Sequence, residues 1–137
     1  MLKPILSTLA AVAVLAACEP TGTTSADSGA DPMSGSWRIL SIGGTKVEDA
    51  NATMMTFTGL TTVTGSFGCG EFTGNYTYDR NVLFITNIAG SPMACSGAPE
   101  RQNRHGMRLL SLPMTVVADA NGAILSGREG QSFALGR

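Results

Sequence analysis

Few residues in this 137-residue chain have side chains suited to site chemistry, and one histidine, His105, leads them. No Ser-His-Asp or Cys-His set can be assembled without it. It stands among Arg101, Arg104 and Arg108, a context typical of a packed or solvated histidine rather than a ligand or base. The three arginines recur at helical spacing as a small basic stripe, whose ordinary meaning is a solvated face. His105 with Cys69 and Cys95 falls short of a tetrahedral metal shell, so no metal is expected. Gly65, Gly68 and Gly70 lead into a strand rather than a helix, so they form no phosphate loop, and no cofactor is expected. Carboxylates are scattered, with no pair placed for acid–base work. The residues argue against an enzyme.

The third cysteine has a different setting. Lys3 precedes an apolar run from Ile5 to Val14, and the run closes on Leu15-Ala16-Ala17-Cys18. A basic start, a short apolar stretch and small residues at a cut site make a secretory leader. The run is too short to span a bilayer of about 30 Å as a helix. Leu-Ala-Ala-Cys resembles the lipobox of bacterial lipoproteins. That resemblance implies cleavage before Cys18 and acyl chains on its sulfur and new α-amine. The alternative is a general-peptidase cut at Ala11-Val12-Ala13. Stable anchoring takes more than one chain. Glu19, where an aspartate commonly marks inner-membrane retention, favours the outer membrane, facing the periplasm.

The expected layout is therefore a leader over 1–17, a lipidated cysteine and tether over 18–34, and a folded domain over 35–137. Nine Lys plus Arg oppose ten Asp plus Glu, and losing Lys3 with the leader moves the formal charge from −1 to −2. No basic patch is evident in the sequence, so nucleic acid is not an expected partner. The stretch from Glu19 to Ser34, EPTGTTSADSGADPMS, has one large apolar residue, Met33. It cannot bury enough surface to offset its ordering entropy, and as a coil it would span about 22 Å.

The elements that would hold any site read as β-structure. Phe72, Gly74, Tyr76 and Tyr78 alternate with Glu71, Thr73, Asn75 and Thr77, the period of a half-buried strand. Thr61 to Phe67 alternates too, with Val63 and Phe67 on one face. Val82 to Ile88 starts apolar on both faces and so is expected centrally. Shorter strands are expected at Trp37–Ile42, Met54–Phe57, Met114–Ala118, Ala123–Gly127 and Gln131–Leu135. Turn signals fall at Gly59, Gly68 to Gly70, Asp79-Arg80-Asn81, Asn121-Gly122 and Glu129-Gly130. One helix is expected from Pro99 to Leu112, with Gln102, His105, Leu109 and Leu112 along one stripe and Pro113 ending it. The fold class is α+β: a small, strongly curved antiparallel sheet of about eight short strands, barrel-like, whose open side one helix covers.

GSWRILSIGG, VTGSFGCGEFTGNY, ITNIAGSPMAC and a helix containing Glu100 together resemble the META/HslJ domain over roughly residues 35–136. Its most specific pieces are the glycine-cysteine turn before Phe72 to Tyr76, and Met93-Ala94-Cys95. Family members usually carry asparagine where this chain has Gly70, and often threonine where it has Ser91-Pro92. The resemblance implies a secreted or lipid-anchored bacterial protein loosely associated with stress tolerance, and it carries no residue-level activity.

Three functions follow in order of support. The first is a non-enzymatic envelope lipoprotein, monomeric, held at the membrane by acyl chains on Cys18 and binding an envelope protein or component. The second is an inhibitor of an exogenous hydrolase such as lysozyme, with Ser126-Gly127-Arg128 as its loop. The third is a carrier whose curved sheet encloses an apolar ligand, with Met54, Met55, Met93, Met107 and Met114 lining it. With Cys18 lipidated, Cys69 and Cys95 form an even pair in an oxidising compartment. The strand from Phe72 runs away from Cys69 and its hairpin partner returns toward Cys95, so a disulfide is expected, with two buried thiols as the alternative.

Overall fold

A computed structural model describes residues 31–91, 94–128 and 132–137. The leader, Cys18 and the tether up to residue 30 lie outside these residues, as do Met93 and the turn expected at Glu129-Gly130. Nine strands and a helix follow in order: β1 Gly35–Ile42, β2 Thr45–Lys46, β3 Thr53–Thr58, β4 Thr62–Phe67, β5 Phe72–Asp79, β6 Val82–Gly90, α1 Gly97–Leu110, β7 Met114–Ala118, β8 Gly122–Ser126 and β9 Ser132–Gly136. All pairings are antiparallel between neighbours, and β1 also pairs with β9. The expected curvature thus runs to completion, closing eight strands into a barrel with β2 as a short addition on β1.

Closure depends on two bulges. Between Ile39↔Leu135 and Ser41↔Ala134, β1 carries Leu40 as an extra residue. Between Thr73↔Ala89 and Asn75↔Thr86, β6 spends two residues against one on β5. Asn87 takes the left-handed conformation there, at φ 52°, and its Nδ2 donates to Asn75 Oδ1 at 3.2 Å. Extra residues of this kind bend and twist a sheet locally, which closing a barrel requires. The hairpins are equally local in origin. Arg80 and Asn81 both have positive φ between Asp79 and Val82, the primed turn whose twist matches the flanking strands.

An eight-stranded barrel is just wide enough for side chains to fill, and this one is filled. Trp37, Phe57, Phe67, Phe72, Phe133, Met33, Met55, Leu83, Leu110 and Leu125 are all fully buried. At one pole Phe67 lies near-parallel to Phe72, with ring centroids 4.8 Å apart, and to Phe133, at 5.8 Å. Towards the other pole Phe57 meets Tyr76 edge-on at 5.0 Å. Helix α1 closes the first pole, burying Gly106, Leu109 and Leu110.

Four sequence expectations need correction. Residues 31–34 belong to the folded unit rather than the tether. Met33 is fully buried, its carbonyl accepts from Trp37 Nε1 at 2.7 Å, and Asp31 Oδ2 accepts from the Tyr76 hydroxyl. The unit therefore spans Asp31–Arg137 and contains its whole core. Strand β2 was not expected; Gly43 and Gly44, both at positive φ, make the tight turn that folds it back on β1. The helix ends at Leu110, leaving Leu112 outside it and exposed; Leu109 is buried as the stripe implied, and Gly106 and Leu110 join it. Strand β6, apolar on both faces at its start, is buried on only one of them: Leu83 and Ile85 point inward while Phe84 is 43% exposed.

Two measurable consequences follow. A Cβ at position 106 would lie 2.7 Å from ring carbons of Phe67, a buried ring that also packs against Phe72 and Phe133. Gly→Ala in a helix interior ordinarily stabilises by about 1 kcal/mol. Here overpacking reverses the sign, and Gly106→Ala loses about 1–3 kcal/mol in urea denaturation.

Burial first, then the hydrogen bond to Asp31 and that residue's negative charge, push the Tyr76 phenol far above its ordinary value of 10.0. Its contribution to stability is therefore complete below pH 10.0 and declines above it, because the unfolded chain ionises first. Between about pH 10 and 12, urea denaturation shows stability falling more steeply for the native chain than for Tyr76→Phe. At pH 7 Tyr76→Phe costs about 1–2 kcal/mol, since Asp31 loses its donor.

Candidate functional site

The pole that α1 closes gathers most of the residues first singled out by type. Three ties fix the helix there. The Gln102 side chain donates through Nε2 to the Phe67 carbonyl at the end of β4. Gln102 Oε1 accepts from the Glu48 backbone N–H at 3.4 Å, joining the helix to the chain just after β2. The third tie is covalent: Cys69 and Cys95 form a disulfide, with Cα atoms 6.1 Å apart. It links the turn after β4 to the segment leading into the helix.

That turn is built on backbone conformation. Gly68 and Gly70 have φ of 93° and 72°. Ser66 Oγ accepts from Gly68 N–H at 3.1 Å and donates to the Gly70 carbonyl at 2.7 Å. The left-handed region favours glycine and, after it, asparagine. Gly70 therefore suits the turn without conformational cost. Next to it Ser91 N–H donates to the Glu71 carbonyl at 2.8 Å, and Ser91 Oγ accepts from Glu71 N–H at 3.0 Å.

Between α1 and the β1–β2 hairpin lies a cleft of about 310 Å³, lined by Ile42, Thr45, Lys46, Glu48, Ala98, Arg101, Gln102 and His105. A second hollow of about 230 Å³ continues along the helix between Arg101, Arg104, His105 and Arg108. The arginine stripe seen in the sequence is thus solvated, as its spacing suggested, but it is joined by Lys46 from a different element. Gly43 sits directly over the imidazole: a Cβ there would fall 2.5 Å from His105 Cε1. Among the described residues, the one ion pair within the stripe joins Arg104 to Glu100, four residues earlier. Sequence reasoning missed this cleft because Lys46 and Arg101 lie on elements far apart in the chain. The Gly43-Gly44 pair was the available signal, since such a turn folds the following residues back against what precedes them.

This arrangement suits contact with an anion. No group of three or more His, Cys, Asp or Glu placed to hold a metal occurs among the described residues. The other residues singled out lie elsewhere. Ser126, Gly127 and Arg128 rim an outer groove of about 680 Å³ with Val82, Phe84, Pro113, Met114 and Thr115. It opens where β6 and β7 part after only two paired positions, Val82↔Thr115 and Leu83↔Met114. Of the methionines proposed to line a pocket, Met55 and Met114 are core filler, Met54 is 43% exposed and Met107 half-buried.

Comparison with known proteins defines the class. The META domain family model matches residues 31–137, and the chain belongs to that family. The match begins at Asp31, the first residue of the folded unit. No curated protein matches the chain. Among solved structures, one protein determined by NMR is similar at 20% identity and TM-score 0.64, over 78% of this chain and 94% of that one. An NMR structure of a protein from Burkholderia xenovorans is similar at 20% identity and TM-score 0.63, over 78% and 88%. A DUF4847 family protein from Bacteroides vulgatus, solved by crystallography, is similar at 16% identity and TM-score 0.58, over 75% and 91%. These likenesses establish the barrel-and-helix fold.

The disulfide makes the prediction here. Mass spectrometry of the unreduced domain shows Cys69 and Cys95 without free thiols. Cys69→Ser with Cys95→Ser costs about 3–4 kcal/mol in urea denaturation, from the entropy of closing a loop of this length.

Proposed function

We propose that this chain is a non-enzymatic envelope protein, held at the membrane by acyl chains on Cys18 and acting by binding a partner through its META domain. The location follows from the lipobox-like Leu15-Ala16-Ala17-Cys18: the domain faces the periplasm, with the outer membrane favoured over the inner, and works as a monomer. The observation that carries the binding role is the filled barrel. An interior occupied by Trp37, Phe57, Phe67, Phe72, Phe133 and Leu125 has no room for a carried ligand. Recognition then falls to the surface, where the cationic cleft concentrates positive charge that the folded unit as a whole lacks.

Non-enzymatic action is supported by the company His105 keeps. Its cleft brings Lys46, Arg101 and Gln102 to the imidazole, with Glu48 as its one carboxylate and Thr45 as its one hydroxyl. A cation-flanked imidazole on an open surface is poorly placed to activate a nucleophile. The inhibitor reading keeps one favourable observation, the Ser126-Gly127-Arg128 rim of the apolar groove where β6 and β7 part. Lysozyme assayed with the purified domain tests it, and inhibition lost in Arg128→Ala would promote it over the first reading.

The anchor is tested by Cys18→Ala. Acyl chains supply the membrane affinity, about 0.8 kcal/mol for each buried CH₂. The variant accordingly leaves the membrane fraction and accumulates as soluble or unprocessed protein. A Cys18→Ala protein that is processed and still membrane-bound would sink the reading.

A further inference from the structure

We propose that the cleft between α1 and the β1–β2 hairpin is a docking site for an acidic peptide segment of another envelope protein. The proposal rests on the binding reading above and names the chemistry and position of the contact.

Charge complementarity is the first argument. Arg101, Arg104, His105 and Arg108 line one continuous hollow on the helix, and Lys46 extends it across the hairpin. The folded unit as a whole is not basic, so this is a local concentration. Residues 31–137 hold eight Lys and Arg (38, 46, 80, 101, 104, 108, 128, 137) and eight Asp and Glu (31, 48, 49, 71, 79, 100, 119, 129). Half of those cations lie on this one surface. Among the described residues the only ion pair formed there is Arg104 with Glu100, which leaves the Arg101 and Arg108 guanidinium forks for carboxylates of a partner.

The lining argues for peptide rather than a uniformly anionic surface. Glu48 stands in the cleft opposite the cations, and Ile42 and Ala98 supply apolar wall. A bilayer of anionic headgroups would bring its own charge against Glu48. A peptide places carboxylates on the arginines, a backbone N–H or cation on Glu48, and a small apolar side chain on Ile42. Arginine flanked by apolar surface is also the composition on which protein interfaces concentrate their binding energy.

Position is the third argument. The chain enters the folded unit at Asp31, which is bonded to Tyr76; β1 then starts beside Phe57, at the end of β3, and Arg137 Nη1 reaches the Ser34 carbonyl. Helix α1 lies at the opposite pole, against Phe67 and Gly43. The cationic cleft therefore lies on the opposite end of the folded unit from the point where the chain enters it, clear of the segment that precedes Asp31.

The test is an NMR titration of ¹⁵N-labelled residues 31–137, which contain the complete core. The probes are an acetylated peptide of alternating Glu and Ala, its Gln-for-Glu counterpart, and vesicles containing phosphatidylglycerol. The Glu peptide shifts amides of Thr45–Glu48 and Ala98–Arg108, and its affinity falls about tenfold or more as salt rises from roughly 0.05 to 0.5 M. The Gln peptide and the vesicles leave those amides unmoved. Arg101→Glu with Arg108→Glu abolishes the response and Lys46→Glu weakens it, while Arg80→Glu, at the far hairpin, preserves it. Unmoved cleft amides with the Glu peptide, an equal response to the Gln peptide, or shifts caused by the vesicles would each overturn the proposal. Because this domain lacks Cys18, such a result leaves the anchor reading to its own test.

Discussion

The arrangement of this domain depends on a single close approach, that of the α1 backbone to the Phe67 ring at Gly106. Phe67 has little room to yield, because it packs against Phe72 and Phe133 and all three rings are buried. The helix can seat on that stack only where a residue lacks a side chain, and Gly106 is that residue. Seating it there fixes the rotation of the whole helix. Leu109 and Leu110 turn into the barrel, and Arg101, Arg104 and Arg108 turn out. Packing that ordinarily serves stability thus also decides which side chains face solvent, and so where the molecule can make contact.

Much of the framework was legible from residue order. The period of two over Phe72 to Tyr78 and over Thr62 to Phe67 reported the inward face of each strand correctly, since neither segment has an apolar residue on its outer face to confuse the pattern. Strand β7 was delimited at Met114–Ala118 because Pro113 and the Asp119 turn punctuate it. Other parts were hidden for physical reasons. Met33 sits in a stretch whose Gly, Ser, Thr and Asp composition reads as tether, and that stretch is held by Trp37, which bonds the Met33 carbonyl, and by Tyr76, far along the chain, which bonds Asp31. The helix stripe was misread because its central contact is made by a glycine, to which hydrophobic pattern is blind. The apolar start of Val82 to Ile88 implied a central strand covered on both faces, but Phe84 on its outer face is not covered. It lines an outer groove instead.

The candidate site was the least legible part, and the cause is topological. Its residues come from two segments that carry no shared motif and no metal-like spacing. Arg101, Arg104 and Arg108 alone describe a solvated face, and Lys46 alone describes a polar turn. Only barrel closure, which brings the β1–β2 hairpin round to the pole that the helix caps, makes one surface of them. Closure in turn depends on bulges at Leu40 and Asn87, and a bulge leaves almost no trace in composition.

Redundancy at that pole bears on how well the surface could serve. The helix is held by the disulfide to Cys69, by the Gln102 bond to the Phe67 carbonyl, and by the Gly106 contact with the Phe67 ring. All three converge on residues 67–69, so they resist rotation of the helix as well as its departure. On the other wall, Gly43 rests on His105 and Glu48 N–H bonds Gln102, so the hairpin is tied to the same helix. A cleft whose two walls are fixed to each other loses little freedom when something binds in it, and ordering cost is what most often erodes the affinity of small contacts. The arginine side chains are the exception, long and exposed, and ordering them costs entropy that ion pairing at an open surface repays only weakly. Affinity at this pole would therefore come from several simultaneous contacts along the rigid helix rather than from one strong pair. That favours an extended segment, long enough to touch Lys46 and Arg108 together, over a compact anion that can reach only one of them.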